Sequence, residues 1–291
     1  MKNKIFVVGE IIWDIYNEKK TIGGAPFNFA AHAVLCGAHS TLLSAVGDDD
    51  LGKEAVRLAQ ELGVDEKYIK TVGKVTGQCI VSLDKKGVPI YNVLKDAAYD
   101  NITLDADDLE NIRKECFDAL YFGTLIQREP VSRTSVERLL QSCSFENIIC
   151  DVNLRPDCYD RESVKLCLEH ATVIKISIEE EPLLRGMGLY SPLDNSLLNI
   201  AKAICEVYTQ IDTVILTLGA DGAFAYDARD EKEYYQAAVG EKVVSTVGAG
   251  DSFAAAFFTS YLDGKPIEQC MEKAARISGF VVGCVEAVPI Y

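Results

Sequence analysis

Histidine is scarce in this chain, and its scarcity removes a group of mechanisms at once. Only His32, His39 and His170 occur in 291 residues, and no two of them stand at metal-ligand spacing. A histidine-based metal site or catalytic triad is therefore not expected. Cysteine occurs ten times but never as a Cys-x-x-Cys pair, and Cys36, Cys79, Cys205 and Cys284 sit inside apolar runs. They read as small core residues in a reducing cytoplasm, neither disulfides nor zinc ligands. No run approaches the roughly 18 apolar residues of a membrane span. The stretch Met1-Lys-Asn-Lys-Ile-Phe-Val-Val-Gly9 enters a strand directly, so no signal peptide is expected either. Positive charge is short: 29 Lys and Arg stand against 44 Asp and Glu, a formal charge of −15. A polyanion would be repelled, which argues against nucleic acid as a partner. A glycine-rich dinucleotide fingerprint is missing too, since Val7-Val-Gly-Glu10 offers one glycine where Gly-x-Gly-x-x-Gly is needed.

What is present centres on Ser245-Thr-Val-Gly-Ala-Gly-Asp-Ser-Phe253. Gly248 and Gly250 bracket Ala249, so the backbone can turn sharply and gather consecutive N–H groups. The apolar run Phe253-Ala-Ala-Ala-Phe-Phe-Thr-Ser-Tyr-Leu262 predicts a buried helix beginning at those glycines. A helix N-terminus carries free donors and partial positive charge, and so binds anions. Asp251 places a carboxylate at the mouth of that site. Beside a bound phosphate it would be repelled, so taking a proton from an attacking hydroxyl is its functional reading. The bland alternative makes Asp251 or Ser252 a helix cap. A second junction of glycines and helix weighs against the alternative. Gly23-Gly-Ala-Pro-Phe-Asn28 leads into Phe29–Cys36, a predicted helix stopped by Gly37, with Asn28 as its N-cap or as an amide for hydroxyls.

Along the chain, Ile5-Phe-Val-Val8 and Thr41–Val46 predict buried strands. Gly47-Asp-Asp-Asp50 reads as a solvated loop capping a helix over Leu51–Leu62, with its acids favourable in the first turn. Gln78–Leu83 and Val88–Leu94, joined at Asp84-Lys-Lys-Gly87, predict a hairpin. It interrupts a βαβ rhythm and reads as a lid. Strands at Ala119–Phe122, Ile148–Asp151, Val173–Ile176 and Thr213–Thr217 alternate with helices, which implies a parallel sheet covered on both faces. Ligands of such a sheet bind at the C-terminal strand ends. That rule points to Asp14, Asn153-Leu-Arg155, Ser177, Thr217-Leu-Gly219 and the loop before Asp251.

Taken together, Gly23-Gly24, Asn28, Gly37 and Gly47 with the Ser245–Phe253 stretch resemble the two signatures of the ribokinase/PfkB carbohydrate kinases. The likeness covers essentially the whole chain. Within that family, Gly9-Glu-Ile-Ile-Trp-Asp14 and Ala98-Tyr-Asp100 are most similar to bacterial fructokinases. The resemblance implies a three-layer α/β/α domain over residues 1–291 with a mostly parallel central sheet. Its lid would be a small β-sheet, formed by about 11–22 and 76–99, that often also makes a homodimer contact. It implies a cytoplasmic enzyme that uses ATP and Mg²⁺ to phosphorylate a sugar hydroxyl, D-fructose first among the candidates. Asp251 would be the base, and the N–H groups of Gly248, Ala249 and Gly250 the anion hole. Asp14, Gly24, Asn28 and Arg155 would hold the sugar. Ser177, Thr217, Gly219 and Gly222, with Gly248 and Gly250, would hold the nucleotide, and Glu180 would reach Mg²⁺ through water.

Four departures from the family pattern touch the cofactors. Ser177-Ile-Glu-Glu180 has Ser where the family's Asn-x-x-Glu has Asn, and Ala275 replaces an asparagine near the adenine. Ser245 replaces an Asp that helps hold a monovalent cation, and Glu286 stands where many relatives have Gly. Dependence on a monovalent cation is therefore left open. The competing readings are a kinase for ribose, a ketodeoxygluconate or a nucleoside, and a catalytically silent binding relative.

Overall fold

The computed structural model describes residues 2–16, 19–83, 89–240 and 243–291. The first half of the chain runs β1 (Lys4–Val8), β2 (Ile12–Tyr16), β3 (Lys19–Gly23), α1 (Ala25–Leu35), β4 (His39–Gly47), α2 (Asp50–Glu61), β5 (Asp65–Val72), β6 (Gly77–Leu83) and β7 (Pro89–Val93). After a short buried turn at Ala98–Asn101 come α3 (Ala106–Glu115), β8 (Ala119–Gly123), α4 (Pro130–Ser142), β9 (Asn147–Asp151), α5 (Arg161–His170) and β10 (Val173–Ser177). The remainder is α6 (Glu181–Gly186), α7 (Leu197–Val207), β11 (Thr213–Thr217), β12 (Ala223–Asp227), β13 (Lys232–Gln236), α8 (Ala249–Leu262) and α9 (Ile267–Val282).

Nine strands form one sheet in the order β13-β12-β11-β10-β9-β8-β1-β4-β5. The strands from β11 to β5 are parallel, and β12 and β13 add an antiparallel edge. Buried parallel strands read as continuous apolar runs because both faces are covered. In β1, Phe6 and Val8 enter one core with residues of α3, α4, α5 and α7. Ile5 and Val7 enter the other, with α1, α2, α8 and α9. This is the expected three-layer α/β/α arrangement. The order reverses beside β1, from which the chain moves to β4 on one side and to β8 on the other. Such a switch point opens a crevice at the C-terminal strand ends.

The second sheet has four strands in the order β3-β2-β6-β7. Its β2–β3 and β6–β7 pairs are antiparallel, while β2 and β6 run parallel. It matches the expected lid segment, although its hairpin turn at residues 84–87 lies outside the described residues. The end of the expected segment is not sheet, because Ala98–Asn101 folds as a buried turn on the main body. Several contacts fasten this sheet to the large one. The Asp49 carboxylate accepts from the N–H of Gly52 and from both the N–H and hydroxyl of Thr76, so one residue caps α2 and anchors the approach to β6. Trp13 of β2 donates from Nε1 to the Leu51 carbonyl at 3.1 Å. The Asp100 carboxylate takes two bonds from Arg128, which also donates to the Leu94 carbonyl just after β7.

Helix α1 starts at Ala25, upstream of the expected Phe29, whereas α8 starts at its glycines as expected. Asn28 is not the N-cap of α1: Gly24 is, with φ of 102°, and Pro26 follows in the first turn. The N-cap of α8 is Gly248, with φ of 80°, so neither Asp251 nor Ser252 caps it. In both cases a glycine takes the left-handed or mirror backbone that other residues avoid, and the polar side chain is released for other contacts.

Candidate active site

The site is built where α1 and α8 begin side by side above the switch point. Gly248 turns the chain into α8, and a β-carbon there would lie 2.5 Å from the Ala287 carbonyl oxygen. The helix therefore starts as deep in the crevice as its backbone allows. Ala249 donates its N–H to the Thr246 carbonyl at 3.3 Å. The N–H groups of Gly248 and Gly250 meet no acceptor among the described residues, leaving donors free at a positive helix end. His32 braces this junction from behind. It is fully buried, its Nε2 lies 2.9 Å from the Ala287 carbonyl, and burial pushes its pKa down to about 4, so it is neutral at pH 7.

Asp251 stands one turn into α8, and its Oδ2 accepts from Asn28 Nδ2 at 2.8 Å. Burial pushes its pKa up to about 6; the Asn28 bond, Lys175 and Arg155 pull the other way, and Asp151 adds to the rise. Asn28 is 3% exposed, and its Oδ1 has no hydrogen-bond partner among the described residues. A buried acceptor left open beside a carboxylate is costly unless a ligand hydroxyl completes it.

Sequence-predicted residues gather around this pair. Asp14 projects from β2 opposite Cys79 of β6, and burial raises its pKa while Arg155 lowers it. Arg155 is exposed on the loop after β9, and none of the described residues forms an ion pair with it. Gly24 lies against the Glu10 carbonyl, where a β-carbon would sit 2.5 Å from the oxygen. Ser177, Thr217, Gly219 and Gly222 occupy the next strand ends, at β10 and β11, along the same edge. Glu180 accepts from the N–H of Leu154 at 2.6 Å and of Ser177 at 2.8 Å. Burial, reinforced by Asp151, raises its pKa. With both oxygens held by backbone donors, Glu180 suits a hydrated Mg²⁺ better than direct ligation. Ser245 accepts from the Val247 N–H, Ala275 is buried in α9, and Glu286 is exposed and turned to solvent.

Three residues of the site were not singled out from sequence. Glu10, 3% exposed, has its pKa raised to about 7 by burial and by Asp251, against the Arg155 charge. Lys175 and Asp151 form a buried ion pair beneath α8. The available signal was a charge inside an apolar strand, Val173-Ile-Lys-Ile176, which strand-pattern reading passes over.

A sequence profile described as pfkB family carbohydrate kinase matches residues 4–289. The chain belongs to that family. Among curated relatives, the ATP-dependent 6-phosphofructokinase of Thermoanaerobacterium thermosaccharolyticum is 28% identical over 306 residues, covering 99% of this chain and 90% of its own. The 5-dehydro-2-deoxygluconokinase 2 of Bacillus cereus is 26% identical, covering 93% of this chain and 83% of its own. The fold is also that of fructokinase from Vibrio cholerae O395, solved with fructose, ADP and calcium ion, at a TM-score of 0.81 and 20% identity over 99% of this chain and 95% of that one. Among the described residues no helix is long and apolar enough to cross a membrane, and no cluster of His, Cys, Asp and Glu forms a metal site by itself.

Proposed function

We propose that this pfkB-family carbohydrate kinase transfers a phosphoryl group from ATP to D-fructose, with Asp251 as general base. The observation that carries the proposal is the Asp251–Asn28 pair at the free N-terminus of α8. The open Asn28 Oδ1 fits a donated sugar hydroxyl, and the carboxylate beside it fits removal of a hydroxyl proton. MgATP supplies the phosphoryl group. The free N–H groups of Gly248 and Gly250 hold its anionic oxygens, and Ala249 shapes the turn between them. Asp14, Gly24 and Arg155 fix the sugar, while Ser177, Thr217, Gly219 and Gly222 line the nucleotide edge, with Glu180 bearing on hydrated Mg²⁺. The four-stranded sheet acts as the lid of one kinase unit and excludes water from the transfer.

The charge balance favours a neutral acceptor. Arg155 is near enough to Glu10 and Asp14 to lower the pKa of both, so part of its field already falls on protein carboxylates. An acceptor bearing phosphate or carboxylate would add negative charge to a site holding Glu10, Asp14 and Asp251. Steady-state kinetics with fructose, fructose 6-phosphate, ribose, ketodeoxygluconate and adenosine test this directly. Fructose is expected to give the highest kcat/KM. Preference for an anionic sugar would overturn the acceptor, and absence of any phosphorylated product would overturn the kinase reading itself.

A further inference from the structure

A lysine stands in the middle of β10, where its neighbours are apolar. Ile174 and Ile176 belong to the core on one face of the sheet and Val173 to the core on the other. Side chains alternate along a strand, so Lys175 shares the Val173 face and enters the layer containing α1 and α8. Its side chain is 8% exposed, and that of Asp151, at the end of the adjacent β9, is 2% exposed. Nζ donates to Asp151 Oδ1 at 2.9 Å and Oδ2 at 2.8 Å. An ammonium has three donors, and the third meets no acceptor among the described residues.

Stability gives no reason for such a pair, because apolar side chains of similar volume commonly serve as well or better in its place. Its position gives one. A β-carbon at residue 250 would lie 3.4 Å from Lys175 Nζ. The ammonium is therefore packed against the underside of the same glycine whose N–H is free at the start of α8. Burial alone would lower the Lys175 pKa, but Asp151, followed by Glu180 and Asp251, holds it above its ordinary value, so the charge is permanent.

We propose that Lys175 is a positioning residue for phosphoryl transfer, a fixed ammonium held by Asp151 that steadies anionic oxygens bound over Gly250. This rests on the kinase reading, in which those oxygens belong to the transferred group. Anchoring by Asp151 keeps the charge below the helix start and out of the sugar site. It acts in a medium of low polarity, where a charge at short range has most effect.

The test compares wild type with Lys175→Met and with the double variant Lys175→Met/Asp151→Leu, which leaves no unpaired buried charge. Turnover is measured on the best sugar, and binding of ADP alone and of ADP with aluminium fluoride by calorimetry. We expect kcat to fall at least tenfold in both variants, with the sugar KM and the affinity for ADP alone within about twofold. Affinity for ADP with aluminium fluoride should fall at least tenfold. A folded double variant whose kcat and aluminium fluoride affinity stay within threefold of wild type overturns the role of Lys175. If wild type phosphorylates no acceptor but binds ADP with aluminium fluoride in a Lys175-dependent way, the kinase reading fails and with it the part in transfer, while the steadying of anionic oxygens over Gly250 by Lys175 stands. If wild type binds neither form of ADP, both fail.

Discussion

Asp251 shows how a single residue is tuned by where the chain puts it. Burial carries its pKa to about 6, and the hydrogen bond from Asn28 limits the rise. The base form then predominates above pH 6, and kcat/KM should fall towards tenfold per unit as pH drops below it. Asp251→Asn should lower kcat by about 10²–10⁴ while the sugar still binds, because the amide cannot accept the proton. A variant retaining a tenth of wild-type kcat would remove Asp251 from the role of base. Glu10 gives a stability test with the opposite use of the same physics. Its folded pKa, about 7, lies above its ordinary value of 4.5, so the folded state prefers the protonated carboxyl. The stability it contributes is complete below pH 4.5 and is lost as pH rises through 7. Glu10→Gln mimics the protonated form at every pH. Its unfolding free energy relative to wild type should therefore climb between pH 4.5 and 8, by at most about 3 kcal/mol. A flat difference across that range would place the Glu10 carboxyl in a polar setting instead.

Among the elements, the return from the small sheet to the main body depends most on one ion pair. Arg128 and Asp100 are 6% and 1% exposed at their side chains, and the guanidinium also lies 4.9 Å over the Tyr99 ring. Asp100→Asn leaves a buried guanidinium without its counter-charge, a change that costs about 3–5 kcal/mol. Chemical denaturation should show that loss as a lower midpoint, and a shift below 1 kcal/mol would mean that the cation finds water or another acceptor. Elements were also where the sequence was most and least readable. The two glycine junctions announced α1 and α8, because glycine followed by an apolar run has few other uses. The βαβ alternation gave the parallel sheet for the same kind of reason. The start of α1 was misplaced because a positive-φ glycine followed by Pro in the first turn moves the cap upstream of Asn28, the polar residue that resembles one. The Lys175–Asp151 pair was invisible for a different reason. It depends on β9 lying beside β10 and on α8 beginning above them, and no local pattern encodes that meeting.

For the whole molecule, the arrangement is a large covered sheet with its donors at one edge and a small sheet fastened beside that edge. The order of strands explains why residues as distant in sequence as Asn28 and Asp251 share a hydrogen bond: both helices begin at the C-terminal edge of the sheet beside its switch point. It also has a practical result. The chain contains a single tryptophan, and Trp13 sits in the small sheet, 6% exposed, with its indole N–H bonded to α2 of the main body. The protein thus carries its one indole fluorophore, which can be excited apart from its tyrosines, across the joint between its two sheets. When the sheets are together the indole is dry and should emit towards the blue; if they part, water reaches it and the emission moves to the red. Titrating fructose into the unlabelled protein should shift or quench that single emission with the affinity seen in turnover, whereas an unchanged spectrum at saturation would mean that the small sheet does not move against α2.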